Sequence, residues 1–236
     1  MNRSILLVFA HPDDESSGVS GTVKKYTEQD VPVDLISATR GEKGSRLDVP
    51  DNVDTGTARE AELRAAATVM GIRNIYLLGY MDGELYKADI NEVANKIADI
   101  MRRAEPEIVI TFGPDGISGH TDHITVGKAA TRAFEQLMSE GKGPRKLYYV
   151  TIAASALPDA DEYGVATRPD EEINLATDIS KYFDSKIKAL SAHRSQQDAR
   201  DLIEMFKEGE ASGFAQKEYL YLAIPRSRHK ETDLFQ

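Results

Sequence analysis

The fold is decided by the stretch Ile5-Leu6-Leu7-Val8-Phe9-Ala10-His11-Pro12-Asp13-Asp14-Glu15, where an apolar run gives way at once to one imidazole and three carboxylates. The apolar run predicts a buried strand over about residues 4–10, and a helix over about residues 17–28 is expected to follow. The polar residues would then lie at the carboxyl end of a strand, where open α/β sheets bind ligands. Carboxylates at this density are costly to bury unless a cation, such as a divalent metal ion, gathers them.

The same stretch also fits an ordinary helix start. Proline at the first helical position and acidic residues in the first turn are both favoured, by the fixed backbone angle of proline and by the helix dipole. Glu15 is expected to be such a first-turn residue rather than a metal ligand. Taken alone, the stretch does not separate a helix start from a metal site.

A second cluster, Gly119-His120-Thr121-Asp122-His123, favours the metal site. It follows an apolar strand predicted over Ile108 to Phe112 and precedes a helix predicted over Asp122 to Ser139. Two strand-end segments that both carry His and Asp are typical of a site shared between neighbouring strands.

The remaining sequence alternates between strands and amphipathic helices. In a helix predicted over Thr57 to Met70, for example, Leu63, Ala66, Ala67 and Met70 recur at the spacing of one helical face. Strands are also predicted over residues 33–38, 74–78 and 146–152, and a helix over residues 90–101. This alternation predicts the α/β class, as a Rossmann-like three-layer αβα fold with a mostly parallel sheet.

We expect a single domain over residues 1–236, with its core at about residues 4–152. Beyond Ala153 the patterns weaken. They predict a short strand over 173–179, helices over 182–192 and 199–207, and a strand over 219–224 that adds a sheet edge. Residues 153–236 are thus expected to complete the pocket and the sheet edge, while the charged tail after Pro225 is expected to be loose.

Composition excludes several classes of function. A net charge of −10 without a basic stripe argues against nucleic-acid binding. The chain has no cysteine, so a metal site must use histidine and carboxylate ligands instead of thiolates. The sequence shows neither a signal-peptide pattern nor an apolar run long enough to span a membrane, which predicts a soluble cytoplasmic protein without membrane partners.

Together, Ala10 to Glu15 and Gly119 to His123 resemble the motifs of the PIG-L/LmbE-like family of zinc-dependent N-acetylglucosaminyl de-N-acetylases. The resemblance extends, as the order and spacing of motifs, over about Ile5 to Gln196. It implies Zn2+ as cofactor and a hydrolase that removes acetyl from a small N-acetylated sugar substrate, either a sugar conjugate or a short oligosaccharide. Because relatives form homo-oligomers, it also implies a homo-oligomer.

The resemblance also implies roles for individual residues. It makes three residues the zinc ligands: His11, Asp14 and His123. It makes Asp13 the general base and His120 the general acid or electrostatic partner, oriented by Asp122. Three N/O ligands that leave a fourth position open are typical of catalytic zinc, which lowers the pKa of a water molecule bound there. Residue spacing alone leaves open which of the two adjacent aspartates binds the metal.

Several residues have a plainer interpretation beside the one that the resemblance implies. His120 could instead be a structural histidine with satisfied hydrogen bonds or one that supports a ligand from behind, and Asp122 could be a helix N-cap. Arg59 matches an arginine that the family uses near substrate, but an exposed helix arginine is the alternative. Asp82 would contact sugar hydroxyls, or simply form an Asp-Gly turn. For His193, the helix dipole favours a place near a helix C-terminus.

Two other functions compete with the deacetylase. A metal-dependent phosphohydrolase would also use clustered carboxylates, but histidine suits zinc better than magnesium. A non-catalytic metal-binding or sugar-binding protein would hold a structural zinc ion, which four protein ligands usually close. The polar loops Arg40 to Asp54 and Ala154 to Glu171 are both expected to form walls of the substrate pocket.

Overall fold

The computed structural model describes residues 3–208 and 215–236, and within them seven strands form one sheet. In chain order the strands are β1 (Ile5–Phe9), β2 (Val33–Thr39), β3 (Asn74–Tyr80), β4 (Ile108–Phe112), β5 (Lys146–Thr151), β6 (Leu175–Asp178) and β7 (Lys217–Ile224). Their order across the sheet is β3-β2-β1-β4-β5-β7-β6. The strands from β3 to β5 are parallel and β7 is antiparallel to both of its neighbours, which confirms the predicted α/β class with a mostly parallel sheet.

Helices cover both faces of this sheet. They are α1 (Asp14–Gly18), α2 (Ser20–Thr27), α3 (Thr55–Met70), α4 (Ile90–Ala104), α5 (Gly116–Gly119), α6 (Thr121–Ser139), α7 (Phe183–Ala192) and α8 (Gln197–Glu208). From β1 the chain adds β2 and then β3 on one side of the sheet, and from β4 it adds β5 on the other side. Because the crossovers are right-handed, α2 and α3 lie on one face of the sheet and α4 and α6 on the other. In agreement, α4 packs on α6, whereas α2 and α3 pack on each other and on α7. Within the two described ranges, no helix combines the length and the apolar character needed to cross a membrane.

The sheet order reverses between β1 and β4, which creates a topological switch point at their carboxyl ends. The two strands are paired from Ile5↔Ile108 to Val8↔Thr111, so their last residues lie side by side. Every residue of both strands is buried, as expected of parallel strands covered on both faces. The two His/Asp segments follow these strands and therefore meet at one place.

A glycine brings α6, the helix that follows the second His/Asp segment, close to β4. A Cβ atom at Gly127 would lie 2.4 Å from the carbonyl oxygen of Phe112, the last residue of β4. Any larger residue would have to move the helix. Gly127 therefore sets how closely the first turn of α6 approaches the strand ends.

The helix predicted over residues 17–28 is in fact two helices, α1 and α2, because the chain turns at Val19. The Glu218 carboxylate accepts hydrogen bonds from Gly21 N (3.0 Å) and Thr22 N (2.7 Å) and so caps the start of α2. Because this cap comes from β7, far along the chain, the local sequence pattern could not reveal the break.

The end of the chain is packed rather than loose. The strand predicted at the sheet edge is β7, and it is internal because β6 pairs along its outer side. Beyond it, Leu234 is fully buried, and Lys146 Nζ donates to Glu231 Oε1 over 2.6 Å. The predictions of an edge strand over 219–224 and of a loose tail after Pro225 are therefore wrong, because local patterns do not show which strand or tail will cover another.

Replacing Leu234 by alanine tests the packed tail. The change removes buried methyl groups and leaves a cavity, so we expect the free energy of unfolding to fall by about 3 kcal/mol. As a control, Met138→Ala alters a side chain that is 48% exposed, and it should change this free energy by less than about 0.5 kcal/mol. Urea denaturation followed by circular dichroism measures both. Equal unfolding free energies for Leu234→Ala and the native chain would show that the tail contributes nothing.

Candidate metal centre and active site

Two backbone turns at the switch point carry the candidate residues. After β1 the chain passes through His11 to Asp13, whose backbone has a positive φ of 113°, and α1 begins at Asp14. After β4 a loop that includes α5 leads to His120, the N-cap of α6. His123 follows in the first helical turn of α6, where its side chain faces the backbone turn after β1.

Three donor atoms converge between the two turns. His11 Nδ1 lies 3.2 Å from His123 Nε2, which lies 3.2 Å from Asp14 Oδ1; His11 Nδ1 lies 3.8 Å from Asp14 Oδ2. Ligands at the usual zinc distances of about 2.0–2.2 Å are about 3.3–3.6 Å apart at the corners of a tetrahedron. The two distances from His123 Nε2 are close to this spacing, whereas the 3.8 Å distance from His11 Nδ1 leads to the other oxygen of Asp14. The two imidazoles and the carboxylate therefore form a possible metal-binding group.

Hydrogen bonds leave one nitrogen of each histidine available to a metal. His123 Nδ1 donates to the carbonyl oxygen of Gly116 over 3.0 Å, which leaves Nε2 as the ligand atom. His11 Nε2 faces Asp82 Oδ1 at 3.1 Å and Asp122 Oδ2 at 3.3 Å, which leaves Nδ1. Carbonyl and carboxylate partners of this kind orient metal-binding histidines and fix their tautomer.

The Asp122 carboxylate faces His11, whereas the contact of Asp122 with His120 is made by its backbone N–H. This carboxylate is fully buried and accepts hydrogen bonds from Gly83 N (2.7 Å) and Leu85 N (3.1 Å). Asp122 is not the N-cap of α6, because His120 Nδ1 accepts a hydrogen bond from Asp122 N (3.2 Å). Residue spacing could not show this, since the partners come from the loop after β3.

His120 stands beside the three donor atoms. Its ring centroid lies 4.7 Å from that of His11 and 4.9 Å from that of His123. The three imidazoles each offer a nitrogen within 4.8 Å of the others, so they form an alternative metal-binding group without Asp14. His120 is exposed, and its Nδ1 caps α6, so it has the structural role that was its plainer interpretation.

Arg59 is not exposed on α3 but is buried against the backbone turn after β1. Its Nη2 donates to Asp13 Oδ2 (2.8 Å) and to the carbonyl oxygen of Pro12 (2.5 Å). Its Nη1 donates to the carbonyl oxygen of Gly41 (3.0 Å). A Cβ atom at Gly41 or Gly44 would lie 2.2 or 2.3 Å from the guanidinium, so these glycines let the loop after β2 close over Arg59.

Asp82 lies in the predicted Asp-Gly turn, and it is buried in the site. Its Oδ1 faces His11, and its Oδ2 accepts a hydrogen bond from Lys43 N over 2.9 Å. The carboxylate thereby joins the loop after β2 to the candidate metal centre. Although burial opposes it, the contact with His11 lowers the pKa of Asp82 to about 2.

Burial and neighbouring charges also shift the pKa values of two residues in the backbone turn after β1. Burial raises the pKa of the Asp13 carboxyl to about 6, against the opposing effect of the Arg59 guanidinium. Although burial disfavours the charged form of His11, the Asp122 and Asp82 carboxylates raise its pKa to about 10. A carboxyl pKa of about 6 suits a general base, because it lies close to a neutral operating pH.

The predicted site residues other than Asp122 line an open cavity of about 490 Å³. Residues 43–45 form part of its wall, which agrees with the prediction for the loop Arg40 to Asp54. Among the described residues that line the cavity, none comes from Ala154 to Glu171, so the prediction for that loop is wrong. Ser118 of α5 and Asp198 of α8 also line the cavity. We missed both because the local sequence does not show that these helices lie beside the two His/Asp segments.

A cluster of imidazoles and carboxylates at a switch point, with a carboxyl of raised pKa in an open cavity, is typical of a metal-dependent enzyme. A family model described as PIG-L, GlcNAc-PI de-N-acetylase, matches residues 6–134. The chain belongs to this family, as the resemblance of its two motifs predicted.

Relatives named as deacetylases match most of the chain. A probable N-acetyl-alpha-D-glucosaminyl L-malate deacetylase 2 of Bacillus cereus is 36% identical over 203 residues, which cover 84% of this chain and 86% of the relative. A 1D-myo-inositol 2-acetamido-2-deoxy-alpha-D-glucopyranoside deacetylase of Acidothermus cellulolyticus is 33% identical over 235 residues, covering 83% of this chain and 80% of the relative.

Two solved structures share the fold. N,N'-diacetylchitobiose deacetylase from Pyrococcus horikoshii is similar with a TM-score of 0.69 and 24% identity, covering 93% of this chain and 83% of that one. GalB, the 4-carboxy-2-hydroxymuconate hydratase of Pseudomonas putida, is similar with a TM-score of 0.72 and 22% identity, covering 95% and 98%. Because a deacetylase and a hydratase share this fold, the fold alone does not identify the reaction that the site catalyses.

Removing single side chains will show which residues bind the metal. We expect His123→Ala to lose bound zinc, because it removes one of three convergent donors, and His120→Ala to keep it. Elemental analysis after zinc loading and dialysis measures the metal, and circular dichroism checks the fold. One zinc per chain in His123→Ala would contradict both ligand sets, because each contains His123. Loss of zinc in His120→Ala would favour the group of three histidines.

Proposed function

We propose that this chain is a zinc-dependent hydrolase that removes the acetyl group from an N-acetylglucosamine-type substrate, by attack of water on the amide. The observation that carries this proposal is that His11 Nδ1, His123 Nε2 and the Asp14 carboxylate lie together in a cavity that the Asp13 carboxylate also lines. Family membership and the deacetylase names of the relatives support the class of reaction.

The residues that would hold the zinc ion are His11, Asp14 and His123. When bound, zinc supplies a water molecule of lowered pKa, near ~7, and polarises the carbonyl group of the substrate. Three protein ligands favour a catalytic over a structural ion, which usually has four. Two imidazole donors favour zinc over the magnesium of a phosphohydrolase.

Asp13 is the general base in this proposal, and it accepts a proton from the attacking water. The two adjacent aspartates face different partners, because Asp14 faces His123 while Asp13 faces Arg59. With a pKa of about 6, the Asp13 carboxyl is mostly ionised at neutral pH and still basic enough to accept a proton. Arg59 positions this carboxylate through its hydrogen bond to Oδ2.

His120 is the electrostatic partner of the reacting amide in this proposal. Its Nδ1 accepts the hydrogen bond from Asp122 N, which in the neutral ring puts the proton on Nε2. An Nε2–H group beside the candidate metal centre can donate a hydrogen bond to the oxygen on which negative charge develops. The departing amine can take up the proton that Asp13 accepted from the water, which returns the Asp13 carboxylate to its ionised form.

The substrate unit that we propose is the N-acetylated glucosamine, since it is common to the names of the malate and inositol relatives. Arg59 and Asp82 line the cavity beside the site, and their contact with this sugar stays a prediction. A cytoplasmic location, a homo-oligomeric state and a small-molecule partner without nucleic acid stay predictions as well.

Asp13→Asn tests the general base. The amide keeps the size of the side chain but cannot take up the proton, so we expect kcat to fall by about 10²–10⁴-fold with zinc still bound. The matched control is Asp184→Asn, the same change on an exposed acid of α7, which should leave kcat within about 2-fold. Acetate release and zinc content are measured on both. A kcat of Asp13→Asn within 3-fold of the native value would overturn the base assignment.

An acetate-release screen tests the reaction itself. The zinc-loaded chain should release acetate from at least one of N-acetylglucosaminyl malate, N-acetylglucosaminyl inositol and N,N'-diacetylchitobiose, and lose this activity with a chelator. Phosphate release from sugar phosphates is followed in parallel. Phosphate without acetate would favour the phosphohydrolase, and neither product would favour a binding protein.

A further inference from the structure

Asp13, the general base of the proposed function, has a strained backbone. Its φ of 113° lies in a region that residues with a side chain rarely adopt, and such strain costs on the order of 1–3 kcal/mol. A conformation of this kind persists only where neighbouring groups hold it. The groups that hold Asp13 therefore decide where its carboxylate points.

Glu15 is one of these groups. It is a first-turn residue of α1, as predicted, and it is completely buried. Its Oε2 accepts a hydrogen bond from Asp13 N over 3.1 Å, and its Oε1 accepts one from Ser16 Oγ over 2.7 Å. The Glu15 carboxylate thus reaches back to fix the strained peptide from inside the protein, away from the cavity that Asp13 lines.

His193 in turn fixes Glu15. The residue follows α7, as predicted, but its backbone N–H and not its imidazole bonds to the carbonyl oxygen of Leu190 at the end of that helix. The imidazole is fully buried, and its Nε2 lies 3.0 Å from Glu15 Oε1 and 3.1 Å from Ser16 Oγ. Within the described part of the chain, His193 Nδ1 has no hydrogen-bond partner. The imidazole therefore makes its polar contacts through Nε2, and both are with residues of α1.

The turn that carries His193 is itself anchored. Ser195 N and Oγ donate to the two carboxylate oxygens of Glu62 on α3, over 3.0 and 2.7 Å. Gln196 Nε2 donates to the carbonyl oxygen of Ser45 in the loop after β2, over 3.0 Å. His193 is therefore held in place from a second helix and from the loop that walls the cavity.

We propose that His193 is a positioning residue for the reaction, which acts through Glu15 to hold the strained backbone of Asp13 and so to aim the general base. Neither His193 nor Glu15 belongs to the described lining of the cavity, so they act on the substrate only through Asp13. The donors of the candidate metal centre make separate contacts, so the metal should stay bound when this support is lost. This role rests on the proposed function.

Two substitutions at His193 separate positioning from general stability. The side chain in His193→Gln can place an amide nitrogen close to the native Nε2 and still donate to Glu15, whereas in His193→Asn it is too short to reach. We expect kcat to fall by about 30-fold in His193→Asn and by less than 3-fold in His193→Gln, with KM within 2-fold in both. The control is Asp34→Asn, which alters a buried carboxylate paired with Arg73 away from the cavity and should lower only the melting temperature.

Two readouts do not depend on activity. Zinc should remain at one per chain in both His193 variants, and crystal structures of the metal-free variants should show the Asp13 backbone and its 2.8 Å contact with Arg59 retained in His193→Gln but altered in His193→Asn. An unchanged Asp13 in His193→Asn, equal losses of kcat in the two variants, or loss of zinc in His193→Asn would overturn the inference. If the native chain releases no acetate, the proposed function fails, and the crystal structures alone decide the positioning.

Discussion

His11 is the residue on which the two halves of the site depend, because its two nitrogens face opposite ways. Nδ1 lies with His123 Nε2 and Asp14 at the candidate metal centre, and Nε2 lies between the Asp82 and Asp122 carboxylates. One ring therefore links the turn after β1 to the start of α6 and to the loop after β3. The reversal of sheet order between β1 and β4 is what brings these segments within reach of one another.

The parts that sequence predicted well are those where a local pattern has a single structural outcome. Apolar runs ending at His11 and at Phe112 could only be buried strands of a sheet covered on both faces, and both are. The parallel order of those strands then required the two His/Asp segments to share one edge. Glu15 was correctly placed in the first turn of its helix, since acidic residues are favoured there.

The parts that sequence could not predict depend on contacts between distant segments. The Asp122 carboxylate turned out to face His11 because Gly83 N and Leu85 N, which follow β3, hold it there. Arg59 is buried because two glycines let another loop close over it, and no periodicity in α3 reveals that. The same holds for the tail, where burial of Leu234 depends on which elements happen to lie beneath it.

The stretch that the family model recognises, residues 6–134, contains each candidate ligand, but groups outside it contact its helices. Its first two helices are held from outside by His193 on Glu15, by Glu218 at the start of α2, and by the buried Lys186, whose Nζ donates to the carbonyl oxygen of Ser17. A fragment trimmed to the recognised boundaries would keep every donor in its covalent order and lose the groups that keep those helices in place. The support of the site therefore extends well beyond the signature by which the family is detected.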